Sequence, residues 1–140
     1  MADEPREFLE RLMGAVNAHD LDRLVDCFAD DYVNETPAHP ARGFTGRERV
    51  RANWAQIFAF VPDVTAEVVA TASHGNTIWV EQRMSGTRRD GTRHEMRGVV
   101  VFTVADGRAS SARFFLEPMD EAAVDVGAVI DQQVHAGSPP

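Results

Sequence analysis

Residues 8–37, FLERLMGAVNAHDLDRLVDCFADDYVNETP, decide how this chain folds. Phe8, Leu9, Leu12, Met13 and Val16 recur at helical spacing, and Pro5 suits the first turn of that helix, where a missing N–H costs nothing. The pattern breaks at Asn17–Asp20. The Asp20 carboxylate is placed to cap a second helix, with Leu21, Leu24, Val25 and Phe28 as its buried face. Tyr32–Thr36 then reads as a short strand, stopped by Pro37.

Working outward, residues 37–44 form a loop holding two prolines and a glycine. Thr45 and Glu48 have the spacing of a capping box and open a third helix. That helix carries Val50, Trp54, Ile57 and Phe58 and ends at Pro62-Asp63. The remainder is strand. Residues 64–73 alternate, Gly75-Asn76 turns the chain, and 78–87 follow. Asp90-Gly91 gives a hairpin signal; residues 93–104, a second turn at Asp106-Gly107, and residues 109–117 complete the set. Three helices, one early strand and a four-strand meander predict an α+β domain, with the helices on one face of a curved, mixed, mostly antiparallel sheet. This domain spans residues 1–120. Residues 121–140 form an extension in which Ala122, Val126, Val129, Ile130 and Val134 make either a weak docked helix or a loose tail.

Composition bounds the function. The chain has 140 residues, 44% of them apolar, enough for one core. Its 22 acidic and 14 basic residues give a net charge of −8, a surface that repels phosphate backbones and argues against nucleic acid as a partner. The acidic start, MADEPREF, lacks the apolar core of a secretory signal, and no apolar run approaches the ~18 residues of a membrane span. A cytoplasmic protein with no membrane partner is expected. Cys27, the single cysteine, sits in an apolar helical pattern and reads as a core residue. The five histidines show no metal-ligand spacing, and no glycine-rich loop suggests a nucleotide. No cofactor is expected.

Three stretches carry a family resemblance: N-A-x-D-L-D-x-L-x-x-x-F-A-D-D over Asn17–Asp31, G-x-x-x-V-R over Gly46–Arg51, and the D-G-R turn of Asp106–Arg108. The last strand, Ala112–Pro118, adds to it. Over residues 6–120 the chain resembles the SnoaL-like branch of the nuclear transport factor two-like superfamily. The resemblance implies a cone-shaped α+β barrel around a small-molecule pocket. It leaves the reaction open, because this fold hosts isomerases, cyclases, hydrolases, dehydratases and non-catalytic modules. Ketosteroid isomerases need a tyrosine and two aspartates; the matching positions here are Leu12, Thr36 and Val100, so that route is excluded. The Asp-Arg-Asp arrangement of limonene-epoxide-hydrolase-like members matches Glu81, Arg83 and Phe114, in altered order and incomplete. A polyketide-cyclase-like mechanism needs one acidic group in an apolar cavity, a role Glu81 could fill.

The resemblance places Trp79, Glu81 and Arg83 inside the pocket, although hydrophobicity alone favours burying Ile78, Val80, Gln82 and Met84, the opposite face of the same strand. On that reading Glu81 is the acid/base, Arg83 tunes it or anchors an anion, and His39 in the Pro-rich loop assists. The plainer alternatives are a structural ion pair and a surface histidine. Asn34, Thr36, Trp54, Phe58, Trp79, Met96 and Phe114 are the expected contacts for a small apolar or amphipathic molecule. Arg97, Val99, Val101, Arg113 and Phe115 share the outer sheet face, which reads as a homodimer interface. The expected function is cofactor-free acid/base chemistry or, alternatively, ligand binding without catalysis.

Overall fold

In a computed structural model, residues 3–135 are described. Helix α1 (Glu4–Asn17) and helix α2 (Leu21–Asp26) lead into strand β1 (Phe28–Glu35). A 3-10 turn (Pro40–Arg42) and a two-residue strand, β2 (Phe44–Thr45), precede helix α3 (Arg47–Phe60). Strands β3 (Thr65–His74), β4 (Thr77–Thr87), β5 (Arg93–Ala105) and β6 (Arg108–Pro118) form the meander, and helix α4 (Val126–His135) follows. The strands lie in one sheet in the order β2-β1-β6-β5-β4-β3, with β1 parallel to β6 and all other neighbours antiparallel. The α+β class is as expected, but the sheet stays open rather than closing into a barrel.

The motif residues turn out to hold the fold together. Asp3 caps α1 and Asp20 caps α2, each accepting from a backbone N–H three residues on. Asn17 grips Ala66 of β3 twice, donating to its carbonyl at 3.1 Å and accepting from its amide at 2.8 Å. His19, in a left-handed backbone conformation (φ 54°), sets its Nε2 2.7 Å from the Val64 carbonyl oxygen. The linker between the first two helices is thus bolted to the far sheet edge. Asp106 and Gly107 both adopt positive φ, as a tight hairpin with a right-handed strand twist requires. Arg108 beside them reaches the Asp26 carboxylate at 2.9 Å.

Two sequence expectations change. Strand β1 begins at Phe28, so α2 is shorter than its apolar pattern implied; Phe28 packs edge-on against Tyr32 (4.8 Å) instead of closing a helical face. Thr45 does not cap α3. It is held in β2 opposite Val33, and Gly46, with φ 104°, is the cap residue instead. Helix α4 forms, but none of its residues is buried; residues 136–140 of the expected extension lie outside the described residues.

The core lies between the helices and the inner sheet face. Phe8, Leu12, Val16 and Leu24 meet Ile78, Val80, Val100, Phe102 and Val104 there. Gly98 allows β5 and β6 a close approach: with φ 150°, a Cβ at that position would lie 2.0 Å from the Phe115 carbonyl oxygen. Among the described residues no helix is long and apolar enough to cross a membrane.

Candidate functional site

A cavity of about 300 Å³ opens between α3, β1 and one end of β4, β5 and β6. Its walls are mostly apolar: Phe28, Phe44, Val50, Trp54, Ile57, Met84, Met96, Phe114 and Leu116. Helix α3 buries only Val50 fully. Its other inward residues, Trp54 and Ile57, remain partly accessible because they face the cavity rather than solid core.

Six polar or ionisable side chains break the apolar lining: Tyr32, Asn34, Thr36, Arg42, Asn53 and His94. Strand alternation puts Tyr32 and Asn34 on the same side of β1. The Tyr32 hydroxyl donates to Asn34 Oδ1 at 2.7 Å, with both residues buried. Burial pushes the Tyr32 phenol well above its ordinary pKa, so it stays protonated and remains a donor. That bond occupies the Asn34 carbonyl oxygen. The amide NH₂ donates to no protein group among the described residues, and the residue lines the cavity. Neighbouring rings, Phe28 at 4.8 Å and Phe44 at 6.1 Å, wedge Tyr32 in place.

On β5, His94 and Met96 share the inward face. Desolvation lowers the His94 pKa, and the Arg88 guanidinium lowers it further. The imidazole is therefore neutral at pH 7, with one ring nitrogen free to accept a proton. No aspartate or glutamate lines the cavity among the described residues. Nor do three His, Cys, Asp or Glu side chains gather anywhere in a way that would hold a metal ion, among the described residues.

The structure brings Asn34, Thr36, Trp54, Met96 and Phe114 together around this space. Five expected residues are not there: His39, Phe58, Trp79, Glu81 and Arg83. Trp79, Glu81 and Arg83 face outward, because Ile78, Val80, Gln82 and Met84 take the buried side of β4. Burying the aliphatic set outweighs the placement implied by family likeness. Trp79 is 38% exposed, and Arg83 points toward Glu67 across the β3–β4 ladder at 3.6 Å. His39 is also absent from the lining: its Nε2 lies 2.9 Å from Glu117 Oε1. Phe58 stacks on His19 at 5.0 Å and packs beside Trp54 in the core. Cys27 is buried as expected, its thiol pKa raised by desolvation.

Sequence reasoning missed Tyr32, Arg42, Asn53 and His94. The signal for His94 was available: it lies two residues before Met96, and period-two alternation gives both residues one face. Tyr32 carried the same signal relative to Asn34.

Helices packed on one face of an open six-stranded sheet, with a cavity between sheet and helix, define an α+β domain of the cone-shaped class. The model of the SnoaL-like domain matches residues 9–112, and the chain belongs to that family. No curated protein matches it. Among solved structures, it is similar to a loop-truncation variant of IdmH at 27% identity and TM-score 0.66, covering 80% of this chain and 91% of that one. It shares its fold with RV0760c from Mycobacterium tuberculosis in complex with estradiol-17beta-hemisuccinate (22% identity, TM-score 0.70, 81% and 94% covered). An LEH-like epoxide hydrolase of M. tuberculosis has the same fold (20% identity, TM-score 0.68, 79% and 76% covered).

Proposed function

We propose that this cavity binds a small, largely apolar carbonyl compound and moves a proton on it without a cofactor, as an isomerase or cyclase does. The observation that carries this reading is the pairing, in one apolar space, of a neutral imidazole with an amide whose NH₂ is left free. Asn34, its orientation held by Tyr32, donates to the substrate carbonyl and stabilises charge that develops on oxygen. His94 takes the proton from the adjacent carbon. Apolar walls exclude water and strengthen both interactions. The structural neighbour in complex with estradiol-17beta-hemisuccinate supports a ligand with a large apolar body, as does the composition of the lining.

A second reading, a ligand-binding or dimerising module without catalysis, is favoured by the lack of a carboxylate among the described lining residues. One experiment separates them. 2-Tetralone, a bicyclic ketone with acidic α-protons, is incubated with the protein in D₂O and its C–H signals are followed by NMR. Exchange faster than in buffer, lost in His94→Gln with binding retained, supports catalysis. Binding without faster exchange supports the second reading, and absence of binding overturns both for this ligand class.

We also propose that the protein is a homodimer joined through the outer sheet face. Val33, Trp79 and Phe115 are each exposed there, around Val101, which is buried outside the main core.

A further inference from the structure

The opening of the cavity carries a single arginine. Arg42 lines it from the 3-10 turn Pro40–Arg42 and is otherwise exposed. Among the described residues, no carboxylate lies within ion-pair distance of it. Six arginines have such partners, Arg47, Arg51, Arg83 and Arg108 among them, and of those without one Arg42 is the one that lines the cavity. In a chain of net charge −8, an arginine without a carboxylate, at the edge of a cavity whose lining holds no aspartate or glutamate, is set apart by its surroundings.

The turn beneath it is well anchored. The His39 amide donates to the Thr36 carbonyl at 2.8 Å, and the Arg42 amide to the His39 carbonyl at 2.9 Å. The His39 ring meets Glu117, and Gly43 passes so near the Asn34 carbonyl that an added Cβ would sit 3.1 Å from it. The Gly46 amide then donates to the Tyr32 carbonyl at 2.7 Å. The Gly43 approach and the Gly46 bond thereby tie the far end of the loop to the strand that carries Tyr32 and Asn34.

We propose that the ligand is an amphiphilic organic acid, its apolar body inside against Trp54, Met96 and Phe114 and its anionic head bound by Arg42 at the opening. The inference rests on the small-molecule reading above and narrows it. A guanidinium presents paired N–H donors that match a carboxylate or sulfonate. Without it, the acidic surface would disfavour an anionic ligand. Arg42 therefore selects acids over neutral molecules of the same shape.

Two fluorescent probes test this directly. 8-Anilino-1-naphthalenesulfonate and N-phenyl-1-naphthylamine share one ring system and differ by the sulfonate. Arg42→Gln, in an exposed turn, is expected to weaken the sulfonate probe roughly three- to tenfold and to leave the neutral probe within about twofold. The control Arg49→Gln, exposed on α3 and outside the cavity lining, is expected to change neither. Equal effects on both probes, no effect of Arg42→Gln, or a loss confined to Arg49→Gln overturns the assignment of the acid head to Arg42. If the neutral probe does not bind, or Met96→Trp fails to release it, the cavity reading itself falls and this inference falls with it.

Discussion

The Tyr32 hydroxyl donates to Asn34 Oδ1 across 2.7 Å inside the apolar wall of the cavity. The bond joins stability to function, because one buried polar group fixes the direction of another. Tyr32→Phe keeps the ring contacts with Phe28 and Phe44 and leaves the Asn34 carbonyl oxygen without its donor. A buried acceptor stripped of its partner costs about 1–3 kcal/mol. The variant should show a lower urea midpoint with an unchanged slope, together with weaker binding of a carbonyl ligand. An unchanged midpoint would mean that the hydroxyl and the amide act independently.

Glu81 lies opposite Ala70 and Val99 on the outward face of β4. Glu81→Gln removes a charge from that face and touches nothing in the cavity. Stability should shift by no more than about 0.5 kcal/mol, and the affinity of the neutral naphthylamine probe should stay within about twofold. A large loss of affinity, measured by fluorescence titration, would place Glu81 inside after all.

The fold was more legible than the site, and the reason is physical. Asn17, Asp20, Gly46 and the Asp106-Gly107 turn act through local backbone geometry: a cap, a positive φ, a side chain gripping a neighbouring strand. Such roles leave fixed residue types at fixed spacings. The β4 face was legible in its own hydrophobic alternation, Ile78, Val80 and Met84, and was misread only because family likeness was given more weight. The length of β1 was not legible. Phe28 fits the apolar pattern of α2 equally well, and its actual packing against Tyr32 depends on the turn at Cys27. Arg42 gave no signal, because an arginine in a Pro-rich loop looks the same whether or not a cavity opens beside it. Thr45 shows the limit of a motif: its spacing to Glu48 suits a cap, but pairing with Val33 claims its backbone first.

The outer sheet face yields a separate outcome. Phe115 is 43% exposed there, and its β5 neighbour is Val99. Static light scattering at micromolar concentration should give a dimer mass for the native chain. Phe115→Glu should give a monomer with unaltered far-UV circular dichroism, because a carboxylate placed in a desolvated interface has no partner to offset its burial. A native chain of monomer mass would refute the interface.

His94 makes a pH-dependent contribution whose sign is fixed. Desolvation, then the Arg88 guanidinium, lowers its pKa in the folded protein below the ordinary histidine value of 6.5. Between the two values the unfolded chain binds the proton more readily, so stability falls as pH drops through the ordinary value and levels off below the folded one. Asp63 and Asp90 do not interfere. The Thr87 amide holds Asp63, and the Thr92 hydroxyl and amide hold Asp90, below the ordinary carboxylate value of 3.8, so both stay ionised above pH 5. Urea midpoints at pH 7.5 and 5.5 should therefore differ more for the native protein than for His94→Gln. Proton exchange on 2-tetralone should decline over the same interval as the imidazole loses its free nitrogen. Equal pH responses of the two proteins would show that His94 does not titrate in the cavity, and would remove the base from the proposed reaction.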